Sequence, residues 1–417
     1  MATNEYNFDE YADYIKELLE ESVSQLPPPF RALVEKELNN LLRLMEEIRS
    51  PRFMLVGRRG SGKSSLINAI FNARVARIGD VEAQTGKARW YEYERNGEKI
   101  EILDTRGILE GNKPQEDDSA ATPQDSIMEA VQEKYPDVIL FLCKATEVDS
   151  AINESLDIFE EIITKLKKVH NYDTPIVGIL TQCDQLAPAD INRLPTDDDE
   201  KNQNINDSVK VLTDRLQSRK TLKDNLVEVI PTASFVKFRE KDNTPDKNRD
   251  LRWNIDRLTE LLVDELPNGP DVAFARIARV RKAQRKIAEN IVKSCSTACG
   301  VVAGTPILNI ADMPILGAIQ ISMIVLIGYI SGRDLSHKAA IEFLAALGIN
   351  VGVAFALREV AAALLKLITV AGNFANAMIA SGGTIALGKA AIAYFIDGDP
   401  LTKVKQDYSK AKLLNFK

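Results

Sequence analysis

Histidine is nearly absent: His170 and His337 are the only two in 417 residues. That scarcity excludes a His-rich metal centre and leaves a Ser/His/Asp triad almost no material. Cysteine is equally thin. Cys143, Cys183, Cys295 and Cys299 are too few and too scattered for a disulfide framework, and Cys295 and Cys299 lack a second metal-spaced pair. A reducing cytosol is the simplest setting. Met1 to Glu21 is acidic and has no apolar core segment, so neither a secretory nor a transit peptide is expected there. There is no excess of positive charge either: 53 Lys and Arg against 60 Asp and Glu give a formal net charge of -7. This argues against a globally basic nucleic-acid binder. With 45% hydrophobic and 27% charged residues the chain has ordinary globular usage, which rules out wholesale disorder, and its length allows two or three domains.

What is present is a change of pattern along the chain. Residues 1–50 carry helical periodicity twice, from about Phe8 to Leu26 and from about Phe30 to Ile48, separated by Pro27-Pro28-Pro29. From Arg52 to about Leu266 short apolar runs alternate with helical patterns: Phe53–Val56, Ile100–Leu103, Val138–Leu142, Ile176–Leu180 and Leu226–Ile230. Such alternation predicts a mostly parallel sheet covered by helices. Lys87 to Glu94, with Asn96-Gly97 before Lys99, reads as an antiparallel hairpin that adds an edge strand. Two polar segments rich in Pro, Asp and Asn, Glu110–Asp125 and Leu186–Asp207, read as surface loops, and Pro267-Asn-Gly-Pro270 as a linker.

The first apolar run leads into Gly57-Arg-Arg-Gly60-Ser61-Gly62-Lys63-Ser64, which fits G-x-x-x-x-G-K-[ST], and a helical pattern from Ser65 to Phe71 follows. Glycines let backbone amides turn inward on phosphates, and the helix N-terminus favours negative charge. Lys63 reaches the β/γ oxygens, and Ser64 ligates Mg2+. Asp104-Thr105-Arg106-Gly107 ends a later apolar run, where the carboxylate can hold Mg2+ through water and the glycine amide can touch a γ-phosphate. At Thr181-Gln182-Cys183-Asp184 the carboxylate is suited to accept from the N1 and N2 donors of guanine, a pair that adenine lacks. Pro231-Thr232-Ala233-Ser234 follows the last run and offers a backbone amide to the guanine carbonyl.

In this order the motifs closely resemble the translation-factor-related G proteins, particularly the Era- and Der-like group, over about residues 52 to 266. The resemblance implies GTP/GDP and Mg2+ as ligands and makes Thr85, in Ala83-Gln84-Thr85-Gly86, the switch threonine on the metal. The implied set is therefore Lys63, Thr85 and Gly107 for catalysis, and Ser64, Thr85 and Asp104 for metal. Gly57, Gly60, Ser61, Gly62, Lys63, Ser64, Ser65, Thr181, Gln182, Asp184, Thr232, Ala233 and Ser234 are implied for nucleotide.

Three departures bear on mechanism. Gln182 stands where that group carries Lys, which weakens stacking on the base; guanine choice survives through Asp184. Ile108 replaces a water-orienting Gln, so intrinsic hydrolysis should be slow unless a partner or a second copy completes the site. Gly60 takes the place of the Asn of potassium-activated relatives, which argues against potassium activation. Arg58, Arg59 and Arg106 are either arginine fingers or solvated loop residues.

After residue 270 the composition changes. Between Ser294 and Ile396 only nine Asp, Glu, Lys or Arg occur in 103 residues, which predicts a second, helical domain. Met313–Ile330 and Leu367–Leu387 are uncharged over 18 and 21 residues, long enough to span a bilayer. They also contain Pro314, Gln320, Asn373 and Asn376, so shallow insertion and a soluble bundle stay open alongside spanning. The basic run Arg276–Lys286, if helical, could lie on anionic lipid or simply face solvent. Thr305–Met323 followed by Gly332-Arg333-Asp334-Leu335-Ser336 resembles the C-terminal domain of unknown function of YcjF-like proteins, over about residues 290 to 396. That resemblance implies membrane association.

The expected architecture is thus α/β: N-terminal helices (1–50), a P-loop GTPase domain (51–268) and an all-α hydrophobic C-terminal domain (269–417). The expected protein is a slow, Mg2+-dependent GTPase acting as a switch, cytoplasmic and peripheral or integral at a membrane surface, with a homodimer or a higher oligomer open. A dynamin-like or immunity-related membrane-remodelling GTPase is one rival. An Era-like ribosome or RNA assembly factor is the other, opposed by the absence of a G-x-x-G RNA-binding loop or an aromatic-bearing basic face after the G domain.

Overall fold

The computed structural model describes residues 49–76, 88–95, 98–105, 123–149, 152–170, 173–304, 314–333, 337–347 and 377–414, with scattered positions between 16 and 48. The chain divides into two compact units, Arg49–Ala278 on one hand and Met1–Ile48 with Arg279–Lys417 on the other.

In the first unit the strands are β1 (Arg52–Gly57), β2 (Arg89–Arg95), β3 (Glu98–Asp104), β4 (Val138–Lys144), β5 (Ile176–Thr181), β6 (Leu226–Pro231), β7 (Val236–Phe238) and β8 (Pro245–Asp250). Between and after them run the helices α1 (Lys63–Phe71), α2 (Pro123–Glu133), α3 (Ile152–His170), α4 (Asp199–Gln217), α5 (Lys220–Lys223), α6 (Ile255–Glu265) and α7 (Pro270–Ala278). Six strands form one sheet in the order β2-β3-β1-β4-β5-β6, and β7 pairs with β8 in a separate ribbon. Every pairing in the main sheet is parallel except β2 with β3, which places the expected hairpin at the edge.

The sequence explains the layering. β4 and β5 are almost continuous apolar runs because both faces of a parallel sheet are buried. β2 alternates and exposes Glu92 and Glu94, as a solvent-facing edge strand tolerates. Phe53 meets Phe274 of α7 edge to face, with centroids 5.1 Å apart, while Phe141 stacks on Phe159 of α3 at 5.0 Å. All four rings are buried, each contributing roughly 2 kcal/mol of apolar transfer energy. Because β3 lies on one side of β1 and β4 on the other, the chain changes direction across the sheet at β1. A cleft outside the strand C-termini forms at such a point.

Three expectations need correction. The polar stretch to Asp207 is not all loop, since residues from Asp199 onward are α4: Asp198 caps that helix by accepting from the Lys201 amide, and Asp199 and Glu200 complement its first turn. Pro267–Pro270 is not a linker between units. Pro270 opens α7, which buries Val272, Phe274 and Ile277 within the first unit, so the break falls at Arg279, whose φ is 54°. For the same reason the basic run Arg276–Lys286 is not one helix; Arg276 is buried in α7 and a new helix starts at Arg281.

The second unit contains α8 (Arg281–Ala303), α9 (Pro314–Ile330), α10 (His337–Ala346), α11 (Ala377–Ile392), a π-turn over Ala393–Asp397, and α12 (Leu401–Leu414). α8 packs along α11 and α9. Gly388 permits the closest approach, because a Cβ there would stand 2.4 Å from Val292. Gln320 donates to the Thr384 hydroxyl at 2.9 Å across the α9–α11 seam, and Arg333 lies over the rings of Tyr394 and Phe395. Among the described residues no helix is long and apolar enough to cross a membrane; α9 has 17 residues, and the first part of Leu367–Leu387 lies outside them.

Candidate functional site

The motif residues come together because each ends a strand of one sheet. Gly57 ends β1, Asp104 ends β3, Thr181 ends β5 and Pro231 ends β6, so all four motifs open on the same edge. The loop Gly57–Gly62 bends back to start α1. Gly60 and Gly62 adopt φ of 73° and 92°, which side-chain-bearing residues avoid. At Gly57 a Cβ would fall 2.6 Å from Ser61 Oγ and 2.8 Å from the Leu142 carbonyl, so only glycine fits.

Lys63 folds over the loop, its Nζ donating to the carbonyls of Gly57 at 2.6 Å and Arg58 at 3.2 Å. Ser64 and Ser65 follow in the first turn of α1, half-buried. Ser61 Oγ is buried with no hydrogen-bond partner among the described residues, beside a cavity of about 20 Å³ lined also by Arg58, Cys143, Lys144, Glu147 and Ser155. That is room for roughly one water.

The loop's neighbours grip it. Thr181 Oγ1 donates to the carbonyls of Ser61 at 2.9 Å and Cys143 at 3.2 Å, and Gln182 Nε2 donates to Gly60 O at 2.7 Å. Gln182, in the left-handed conformation at φ 58°, thus reaches the phosphate loop in place of the expected lysine. Asp104 is buried, paired in register with Leu55 of β1, and Thr105 fastens the same strand end through its hydroxyl to Leu55 O at 2.8 Å. Asn68 of α1 clamps Val75 and Ala76 with three hydrogen bonds.

At the base loop, burial pushes the Asp184 carboxyl above its usual range, while hydrogen bonding and the Lys201 charge pull it back in part. A half-buried carboxylate in that state is relieved by a ligand carrying two N–H donors, as guanine does. Lys201 is fully buried, and its ammonium donates to the carbonyls of Asp184 at 2.9 Å, Leu186, and Pro188 at 3.3 Å. Desolvation lowers the Lys201 pKa. No sequence motif marks this lysine; its only signal is its place three residues after the capping Asp198. Cys183 is fully buried and its thiol is pushed up to about 12 by desolvation, so it stays protonated.

Two expectations change here. The amides of Thr232 and Ala233 are already engaged, donating to Leu180 O at 2.7 Å and Trp253 O at 3.2 Å. Of the three positions expected to contact the base, Ser234 is left for an amide, and its Oγ is buried without a partner among the described residues. Arg58 is no solvated loop arginine: its Nε donates to Ser155 Oγ at 2.9 Å and a terminal nitrogen lies 3.7 Å from Glu154, both on α3. Thr85, Arg106, Gly107 and Ile108 lie outside the described residues.

Residues 52–182 match the family model described as "50S ribosome-binding GTPase". This segment is an Era- and Der-like GTPase domain. The chain is 34% identical over 102 residues to GTPase Der of Flavobacterium psychrophilum and 32% identical over 128 residues to GTPase Der of Cellvibrio japonicus. These matches take in 24% and 31% of this chain and 22% and 25% of those proteins, so the chain spans about a quarter of their length. Among solved structures, Era of Aquifex aeolicus bound to GDP and aluminium fluoride is 19% identical, with a TM-score of 0.32, covering 60% of this chain and 67% of that one.

The GTPase domain has the donor set that a magnesium nucleotide needs. The Ser64 hydroxyl in the first turn of α1 and the Asp104 carboxylate at the end of β3 are hard oxygen ligands, and the bare Gly57 lets the loop close tightly against Ser61 and Leu142.

Proposed function

We propose that the chain binds GTP and GDP with Mg2+, hydrolyses GTP slowly and works as a nucleotide-dependent switch. The observation that carries this reading is the stitching of the phosphate loop to the base loop, Gln182 on Gly60 and Thr181 on Ser61, with Asp184 beside them. A binding site for phosphates is thereby built as one piece with a guanine-selective carboxylate.

In this reading the amides of Gly60 to Ser65 and the Lys63 ammonium take the β- and γ-phosphates. Lys63 exchanges its two backbone carbonyls for phosphate oxygens. Ser64 and Asp104 would hold Mg2+, which supplies positive charge against the phosphate oxygens. Asp184 accepts from guanine N1 and N2, and the Ser234 amide meets the carbonyl. Thr85 and Gly107 report the γ-phosphate, and Ile108, lacking a hydrogen-bonding group, leaves the attacking water poorly oriented, which keeps turnover slow. We place the action of the switch on the cytoplasmic side, at a membrane surface reached through the C-terminal helices. The support is the sparse charge between Ser294 and Ile396.

Nucleotide titration of the full chain tests the reading. GTP and GDP should bind in the presence of Mg2+ and ATP should not. Asp184→Asn, which replaces an acceptor-only group by one that also donates, should weaken guanine nucleotides about 100-fold, near 3 kcal/mol for two charge-assisted bonds. Equal binding of ATP and GTP would refute the base assignment. Flotation with anionic liposomes, with GDP and with a non-hydrolysable GTP analogue, addresses the membrane step; absence of the protein from the lipid fraction in both states would sink it.

A further inference from the structure

Every parallel strand at the cleft except one ends in, or leads directly into, a residue already assigned to nucleotide or metal. The exception is β4, which ends at Lys144, next to β1 at the point where the chain changes direction across the sheet. In register, Gly57 lies opposite Leu142 and Lys144 opposite Thr181, so Lys144 stands between the phosphate loop and the base loop.

Its side chain leans on the phosphate loop. A Cβ at Gly60 would stand 3.5 Å from both Cε and Nζ of Lys144. The same glycine has its carbonyl held by Gln182 at 2.7 Å from the other motif. Gly60 is therefore flanked by a neutral donor and by an ammonium. Lys144 Nζ also donates to Glu147 Oε1 at 2.7 Å, an exposed carboxylate three residues on. The lysine side chain of that pair is 23% exposed and the glutamate 41%, so the cation is the inner partner. Arg58, a cation of the loop itself, is turned onto Ser155 of α3.

We infer that Lys144 is a second phosphate-binding lysine, which leaves Glu147 for the phosphate chain of the bound nucleotide. The inference rests on the nucleotide-binding reading above and adds a residue that none of its motifs contains. A phosphate chain lying along Gly60 brings more negative charge to the ammonium than one carboxylate does, and in a half-buried cleft it is the stronger partner. The absence of a side chain at Gly60 then has a second use: it keeps the path from Lys144 to the nucleotide open.

The test is titration of fluorescent GDP and GTP on the full chain, comparing wild type with Lys144→Met, Lys144→Arg and the double variant Lys144→Met/Glu147→Gln. Lys144→Met should weaken both nucleotides at least about tenfold, as expected for a lost charge-assisted contact, and Lys144→Arg should keep most of the affinity. A purely structural ion pair predicts otherwise. There the defect of Lys144→Met would come from the orphaned carboxylate, and adding Glu147→Gln would restore wild-type affinity; such recovery overturns the inference, as does a Lys144→Met chain that binds within about twofold of wild type. Persistent weakness in the double variant supports it. A wild-type chain that bound neither nucleotide would instead refute the nucleotide-binding reading itself, so the two failures are told apart.

Discussion

The two units bury polar groups in opposite ways. In the α/β unit these buried polar side chains gather around the strand ends and bond to backbone carbonyls there: Thr181 to Ser61 and Cys143, Thr105 to Leu55, and Lys201 of α4 to three carbonyls of the base loop and the segment after it. In the helical unit they sit within the helix seams, Gln320 on Thr384 and Gln284 on the Ile330 carbonyl. Irregular backbone has amides and carbonyls to satisfy, and buried side chains there hold a loop in one shape. Helices satisfy their own backbone, so a buried polar side chain between them fixes which residues face each other. The first arrangement builds a site, and the second sets a packing register.

The strongest way to break that contrast is to remove the most deeply committed loop support. Lys201→Met keeps the length of the side chain and its burial but leaves the carbonyls of Asp184, Leu186 and Pro188 without their donor. The expected loss is about 3 kcal/mol of unfolding free energy, together with weaker guanine nucleotide binding because Asp184 is no longer held. Denaturant unfolding and nucleotide titration on the same preparation check both. Unchanged affinity would mean that the lysine serves the fold alone, and the contrast would lose its best example.

In the helical unit the corresponding weak point is a small residue. Gly388→Ala places a methyl group 2.4 to 2.7 Å from the Val292 branches, and α8 and α11 must separate or Val292 must change rotamer. Overpacking of this kind costs about 1 to 3 kcal/mol. Calorimetry should show a lowered transition while GTP and GDP affinity stay at the wild-type level, since no proposed ligand-binding residue lies in that unit. Fallen nucleotide affinity would contradict the separation of roles.

How much of this was legible in the sequence follows from the same contrast. Glycine spacing after an apolar run identifies a phosphate loop because the loop's backbone geometry dictates the residues, and Gly57, Gly60 and Gly62 stand where that geometry requires them. The five parallel strands were readable as apolar runs, clearest in β4 and β5 where both faces are buried, and the edge strand β2 was readable from the hairpin signal. Lys201 and Lys144 were not: the first bonds through a long side chain to another segment's backbone and the second leans on the phosphate loop from a different strand, and no local spacing encodes either contact. The break between units was misplaced because Pro267-Asn-Gly-Pro270 looks like a breaker and serves as a turn into α7. The polar start of α4 was misread because Asp and Asn favour loops and helix caps alike.

α7 also supplies the finest test of the contrast, a half-buried carboxylate that serves a turn and not the ligand. Asp271 accepts from the amides of Gly269 at 2.8 Å and Val272 at 2.7 Å, yet burial outweighs these bonds and pushes its carboxyl up to about 6. The folded state therefore holds this proton more tightly than the unfolded chain, whose carboxylate titrates near 3.8. Its contribution to stability is fully present below that value and is lost as the pH rises through about 6. Acidifying from pH 7.5 to 5 should recover about 1 kcal/mol through this group, against whatever the other carboxylates do. Asp271→Asn, neutral throughout and still able to accept at Oδ1, should be more stable than wild type at pH 7.5, and its advantage should shrink by about 1 kcal/mol on going to pH 5, closing fully only below about 3.8. Denaturant unfolding of both proteins from pH 5 to 8 reads the difference directly, and a difference that did not change with pH would show that the two backbone amides, and not burial, control Asp271.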